Sequence, residues 1–475
     1  MTVSNGNNQA GVKIEVHLIQ NFAPSNLNRD DTGQPKSATF GGFRRARFSS
    51  QCSKRSSREW WREANTISVG ERTKKLQEMI GKKLAEDAEF CKDKDEALRA
   101  DGVRVFTDAY YAAADKKKPE NTSVLLFVSP QEVDICVQAV KDLWADRTSS
   151  DGGPQGDEEQ DSDETTKGKK KAKDSKFEGI ATTVDKRRKA AEKKGKKAED
   201  TSGADQEHDE ADDADGPSDA GADGKKKSVT NMKKRKEIED AIKAAQVSAD
   251  IALFGRMLAE QPGRNTDGAC QVAHPISTHK VDMEMDFYTA VDDLNPKEET
   301  GAGMMGVVGF NSACYYRYAL VDRDQLARNL AGKTDRANGA WTDELTADDY
   351  KEADNVIEAF LEAMVYTIPT GKQNSFAAQN LPSFGLFVRR KGGVPISLAN
   401  AFAKPVRPAQ KDDDLVGLSV AALTKHWDSI EAVYGEQGVT HKSLFHLEQE
   451  GRLNGLASAY KKTVKDAIDA VVSPQ

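Results

Sequence analysis

Cysteine is scarce and scattered in this chain of 475 residues: Cys52, Cys91, Cys136, Cys270 and Cys314, an odd number without paired spacing. That excludes a disulfide framework and fits reduced thiols in a cytoplasm. Nowhere do eighteen apolar residues follow one another, so no membrane-spanning helix and no membrane partner are expected. The opening MTVSNGNNQAG lacks an apolar core, and no secretory leader is expected. Aromatic residues make up 7%, and hydrophobic residues 37% against 31% charged. A chain of that balance cannot be compact throughout. The shortage is concentrated in 147–236, which has no Leu, Trp or Tyr and in which acidic blocks (156–164, 199–223) alternate with lysine-rich ones (167–197, 225–236). This segment is expected to be a disordered insertion with a transient helix near 183–198, since it cannot bury enough apolar surface to offset the entropy of ordering. Its lysine blocks either solvate a tether or touch DNA.

Several enzyme signatures are also missing. There is no Walker P-loop and no G-x-S-x-G, and no repeat of 20–50 residues that would make a solenoid. Gly301, Gly303 and Gly306 fit G-x-G-x-x-G, but NPKEET precedes them and VVGF follows, so the strand and helix of a dinucleotide site are absent. Cys270, His274 and His279 are spaced C-x3-H-x4-H without the fourth ligand that a closed zinc site needs. No cofactor and no metal are expected.

What is present is a basic segment in an otherwise acidic protein of formal charge −8. Residues 28–58 read NRDDTGQPKSATFGGFRRARFSSQCSKRSSR. Arg29, Lys36, Arg44, Arg45, Arg47, Lys54, Arg55 and Arg58, with Arg62 beyond, crowd this stretch among Ser49, Ser50, Gln51, Ser53 and Ser56. Cations neutralise phosphates, while hydroxyls and amides hydrogen-bond phosphate and sugar oxygens. Gly41 and Gly42 allow a tight turn between the two clusters. A local basic surface on an acidic chain points to bound nucleic acid rather than general DNA coating.

Alternation in Val12–Gln20 predicts a half-buried strand with Ile14, Val16 and Leu18 inward and Glu15 and His17 outward. Ser50–Ala64 reads as a helix that exposes Lys54, Arg55, Arg58 and Arg62 and buries Cys52, Trp60 and Trp61. Residues 71–145 look helical apart from a strand at 124–128. Beyond the insert, 247–257 reads as a strand and 311–322 as another. Thr346 then opens an amphipathic helix to Tyr366, with Ile357, Phe360, Leu361, Met364 and Val365 inward. Phe384–Arg389 is a strand, and 412–435 and 440–472 look helical. Strand, helix, strand, strand, helix, strand, with an insert after the first helix, is the order of a ferredoxin-like sheet.

The segments IEVHLIQ, PSNLNRDD, ATFGGFRRARFSSQ with KR two residues on, DIALFGRM, AHPISTHKVD, FYTAVDDL, YYRYA and PISLANAF follow one another through the chain. In these the sequence resembles the backbone subunit (CasC, of the Cas-seven superfamily) of the type I-E CRISPR Cascade complex. The charged insert departs from that family's pattern. The resemblance implies an α+β protein with an RRM-like (ferredoxin-like) palm at 11–64, 246–282 and 306–410. It places helical fingers at 65–245, including the insert 147–236, and a thumb hairpin at 283–305, with C-terminal helices at 411–475. It implies a non-catalytic, oligomerising subunit that binds crRNA, stacks with copies of itself and other Cascade subunits, and supports guide pairing with target DNA.

By position in the family's motifs, Arg29, Lys36, Ser49, Gln51, Lys54, Arg55 and Arg58 would contact RNA. Met257, Tyr288 and Thr289 would wedge and support a kinked guide, with Met304 and Met305 on the thumb. The alternative reading is a metal-dependent RNA-cleaving subunit using Asp30 or Asp31, since related type III backbone subunits cut RNA from a loop aspartate. A general single-strand RNA-binding module outside CRISPR is a third.

Overall fold

The computed structural model describes residues 11–92, 94–150, 222–258, 261–290, 304–337, 340–411, 413–447 and 453–474. Most of the charged insert, including 183–198, lies outside the described residues, as do Gly301 and Gly303. The strands are, in chain order, β1 (Val12–Ser25), β2 (Ser37–Phe40), β3 (Phe43–Ala46), β4 (Glu71–Thr73), β5 (Leu126–Val128), β6 (Cys270–Val272) and β7 (Ile276–Ser277). After them come β8 (Glu284–Ala290), β9 (Met304–Asp322), β10 (Arg336–Ala337), β11 (Ala340–Trp341), β12 (Phe384–Lys391) and β13 (Val439–His446). Two compact units result: Met1–Gly70 with Val247–Arg256 and Thr266–Gln475, and Glu71–Gln246 with Met257–Asn265.

The first unit is built on an antiparallel sheet in the order β13-β12-β1-β9-β6, so the chain is α+β. β1 pairs with β12 on one side and with β9 on the other, Val16 lying opposite Phe387 and Ala319. Ile14, Val16 and Leu18 pack beneath the helices Ser50–Ala64, Arg323–Ala331 and Ala347–Tyr366, with Trp61, Leu326, Ile357 and Phe360 fully buried among them. Thr346 caps the third of these helices through a reciprocal bond with Asp349, and its inward residues are those that the helical period predicts.

The expected one-sided burial of β1 does not hold. Glu15, His17 and Gln20 are as buried as Ile14, because the helix Leu415–Tyr434 and the segment around Leu398 and Phe402 cover the second face. Alternation separates the two faces of a strand but does not say whether the polar one meets water. Each of these side chains finds a partner. Glu15 accepts from Arg390 Nε at 2.7 Å, the Ile396 amide at 2.6 Å and the Tyr318 hydroxyl at 3.2 Å. The Tyr316 hydroxyl accepts from the Leu398 amide at 2.9 Å and shares a hydrogen bond with His17 Nδ1, also at 2.9 Å.

Three further expectations are corrected. Residues 247–257 are a helix, Ala249–Phe254, rather than a strand. A short, mostly apolar run carries too little period to separate the two states, and the turn of Gly255 at φ +79° ends it. Residues 440–472, and with them the C-terminal helices assigned to 411–475, include β13, which extends the sheet beside β12; among the described residues of that stretch only Val464–Val472 is an α-helix. Gly435 and Gly438, at φ +71° and +73°, end the preceding helix and turn the chain back into the sheet. The basic residues 225–236, assigned to the disordered insert, fall within the helix Ala222–Ala244.

The second unit gathers helices such as Leu76–Ala85, Glu96–Tyr110 and Pro130–Ser150 around Ile80, Val103, Phe106, Val133 and Trp144. Ser129 and Glu132 form a reciprocal cap at the start of the last helix, and Arg264 donates to the other Glu132 carboxylate oxygen at 2.6 Å. Among the described residues no helix is long and apolar enough to cross a membrane.

Burial, and then the Arg390 cation, push His17 from its ordinary 6.5 down to about 3. The unfolded chain therefore takes up the proton first, so this contribution to stability is complete above pH 6.5 and is lost as the pH falls below it. Between pH 7 and pH 5 the loss should be about 2 kcal/mol at one pKa unit per 1.36 kcal/mol. Denaturant titrations at both pH values should show it in the wild type and a smaller difference in His17→Gln.

Candidate nucleic-acid interface

The basic surface begins where β1 ends. Asn26 donates to Gly33 O at 3.1 Å and Gly309 O at 2.9 Å, tying the 26–36 loop to β9. Asp30 builds the loop: its Oδ1 accepts from the Thr32 hydroxyl at 2.7 Å, the Thr32 amide at 2.9 Å and the Gln34 amide at 3.0 Å. The Thr32 hydroxyl bond first, then the amide bonds and the Lys36 cation, hold this carboxyl below its usual value. Arg29 and Asp31 stand exposed on the loop, and Lys36 is half-buried. The Asn28 side chain then accepts from the Ser49 amide at 2.9 Å and joins the loop to the start of the basic helix.

Between loop and helix lies the hairpin β2–β3, turned by Gly41 and Gly42 at φ +59° and +81°. A Cβ on Gly41 would strike the Ala403 carbonyl. Arg45 in this hairpin is fully buried. It donates to Ser277 O at 3.0 Å, Phe402 O at 2.7 Å and Ala403 O at 3.3 Å, and so braces the hairpin. Arg44 beside it is exposed. Arg47 donates through Nη1 to His274 Nδ1 at 2.7 Å.

The helix Ser50–Ala64 starts on Ser49, whose hydroxyl accepts from the Cys52 amide at 3.2 Å. Ser49 is thus a buried cap, and what it offers outward is the helix N-terminus itself. The buried face consists of Ser50, Ser53, Ser56, Ser57, Arg58 and Trp61. Cys52 and Trp60 are only half-buried, against expectation. Trp61 donates to Ala359 O at 3.1 Å. Small serines let the helix approach its neighbours closely.

Arg58 is the main correction. It does not lie on the exposed face expected for it: its Nε meets Asp250 Oδ2 at 2.5 Å and its Nη2 donates to Gly70 O at 2.8 Å, with both ion-pair partners buried. The other Asp250 oxygen accepts from the Gly70 amide at 2.8 Å and the Ser248 hydroxyl at 2.6 Å. Lys54 is half-buried with its ammonium 5.0 Å from the centre of the Phe254 ring. Arg55 is exposed beside Glu59 at 2.7 Å, and Gln51 is exposed.

Arg29, Lys36, Ser49, Gln51, Lys54 and Arg55 therefore share one continuous loop, hairpin and helix start. Tyr288 and Thr289 lie elsewhere in the same unit, on the β8–β9 hairpin, where Tyr288 covers Gly306 and Thr289 faces Met305. Met285, Phe287, Met304, Met305 and Val307 are exposed on this hairpin. Met257 belongs to the second unit. It is 85% exposed and borders an apolar groove with Val124, Leu125 and Leu258.

The C-x3-H-x4-H residues do not converge. Cys270 is buried, and His279 uses both ring nitrogens, accepting from the Cys314 amide and donating to Lys280 O. Among the described residues no three His, Cys, Asp or Glu side chains are grouped to hold a metal ion. Sequence reasoning missed Arg45 as a brace, Asp250 as the partner of Arg58, and the Arg47–His274 pair. Two signals were there: Arg58 sits three residues before Trp61, on its face, and a lone carboxylate in DIALF must find a cation.

The sequence model of the CT1975-like protein family matches residues 14–472. Among solved structures, a chain described as "CRISPR RNA-guided surveillance complex, pre-nicking" superposes with a TM-score of 0.66 at 24% identity. That alignment covers 97% of this chain and 99% of the other. A chain of a "CRISPR RNA-guided surveillance complex" superposes with a TM-score of 0.58 at 20% identity, over 98% and 100%. At such identities the likeness is one of fold. No curated protein matches.

Arg58→Ala would strand the Asp250 carboxylate in the interior and should cost about 3–5 kcal/mol. Arg55→Ala removes only an exposed pair and should cost less than about 0.5 kcal/mol. Urea denaturation of the two variants distinguishes a buried strut from a surface cation; equal, small losses would contradict the assignment of Arg58.

Proposed function

The chain belongs to the CT1975-like protein family, and from that membership we propose that it is a non-catalytic, guide-RNA-binding backbone subunit of a type I-E CRISPR surveillance complex. The observation that carries this reading is the division of the basic segment. Arg45 and Arg58 are buried as braces, while Arg29, Arg44 and Arg55 are exposed and Lys36 and Lys54 half-exposed around one helix N-terminus. A rigidly supported row of cations suits a phosphate backbone, which positions without reading sequence. Base pairing by the guide would then supply the specificity towards target DNA.

Other features support the finer assignment. Counting β1, β6, β9 and β12 as first to fourth, the sheet runs fourth, first, third, second, the order of an RRM-like palm (11–64, 246–282, 306–410). The β8–β9 hairpin, apolar yet exposed, is the thumb (283–305), and 65–245 are the fingers. Tyr288 and Thr289 on the thumb, and Met257, would support the kinked guide. Exposed apolar surface on such a projection suits self-association and insertion into a guide–target duplex. The eight ordered motifs favour type I-E, and the surveillance complexes that share the fold are RNA-guided by description. The five free thiols agree with a cytoplasmic assembly. Asp30 spends one carboxylate oxygen on three bonds within its own turn, which favours a structural over a catalytic aspartate.

The test is to co-express the chain with its genomic neighbours and sequence the RNA that purifies with the assembly. Short RNAs of uniform length with repeat-derived ends are expected; heterogeneous RNA would indicate a general RNA binder, and absence of RNA would overturn the reading. Magnesium-dependent cleavage lost in Asp30→Ala or Asp31→Ala would overturn its non-catalytic part. Neutralising Arg29, Lys36 or Arg44 singly to Gln should lower the salt dependence of RNA affinity by about 0.7 in log–log slope for each lost phosphate contact.

A further inference from the structure

One pair of side chains beside the basic hairpin is in an arrangement that its chemistry makes conditional. Arg47 follows β3, and its backbone forms a bridge to Ile276, two residues beyond His274. The Arg47 amide donates to Lys36 O at 3.0 Å, which keeps the 35–47 segment closed. From this base the guanidinium reaches His274 Nδ1 at 2.7 Å. Arginine has donors only, so His274 must accept at Nδ1 and carry its hydrogen on Nε2. The pair is complete only while His274 is neutral.

Protonation removes that acceptor and leaves two cations side by side. The charged groups acting on the His274 ring are Arg47 and Lys36; burial and then these two cations hold its pKa below the usual 6.5. Asp30 in the neighbouring loop feels the Lys36 cation in turn. A second negative charge is what the cluster lacks. An oxygen of a phosphodiester placed between the two groups would accept from Arg47 and from a protonated His274 together, with opposite charges on both sides of each bond, whereas the bond they replace carries charge on the arginine side alone.

We propose that Arg47 and His274 form a subsite for one phosphodiester of the bound RNA, flanked by Lys36, and that occupying it requires His274 to take up a proton. This rests on the guide-RNA reading above and names a regulatory property of the same surface. The linkage has a definite sign. His274 is neutral in the free protein near pH 7 and charged in the complex, so binding absorbs protons and tightens as the pH falls. The gain ends once the pH drops below the pKa of the free side chain.

The test measures affinity of the full chain for a fluorescein-labelled single-stranded RNA from roughly pH 8 to roughly pH 6, with His274→Gln in parallel. Glutamine can still accept from Arg47 but cannot protonate. Wild-type affinity should rise by up to about tenfold per pH unit for one absorbed proton, and the variant should lack that rise. Calorimetry of the wild type in two buffers of different ionisation enthalpy should count the proton directly, independently of how the variant folds. Equal pH dependence in both proteins, or no proton uptake on binding, would overturn the proposal while leaving RNA binding intact. No RNA affinity in either protein at any pH would overturn the guide-RNA reading itself.

Discussion

The ion pair of Arg58 with Asp250, 2.5 Å apart and buried on both sides, is the constraint on which the basic surface depends. It joins the helix Ser50–Ala64 to the short helix Ala249–Phe254 and to the Gly70 backbone, segments far apart in the chain. A buried charge is tolerated only when it is paired and fully hydrogen-bonded. The Asp250 carboxylate meets that condition through Arg58, Gly70 and Ser248. The helix is thereby fixed in angle and depth, and the residues on its other faces are fixed with it.

The same logic recurs one layer away. Arg45 holds the β2–β3 hairpin against three carbonyls, and Asp30 and Asn28 shape the loop before it. Buried or committed polar groups thus carry the exposed cations in place. This division within one basic stretch separates supporting residues from exposed ones. A flexible basic tail could bind phosphate without such supports, but it would lose conformational entropy each time it did. A supported surface has already met that cost in folding.

Much of the architecture was legible. The strand at the N-terminal end, the helix from Ser50 to Ala64, the long capped helix to Tyr366 and the strand from Phe384 each carry a clear period or cap, and local physics decides them. The helix Ala249–Phe254 and the strand Val439–His446 were misread for one reason: in short segments pattern is weak and neighbours decide. β1 shows the same limit, since its alternation was real but both of its faces proved to be inside.

By itself the sequence determined that a local basic segment exists on an acidic chain and the order of motifs that ties the chain to its family. It did so because charge, cap and period are properties of neighbouring residues. Tertiary structure alone decided which cations are free to meet a ligand. Arg55 and Arg58 lie three residues apart and are chemically identical, yet one faces solvent and the other is a strut, because Asp250 arrives from nearly two hundred residues away. Burial and pairing are set by segments distant in the chain, and no local pattern in 28–58 contains them.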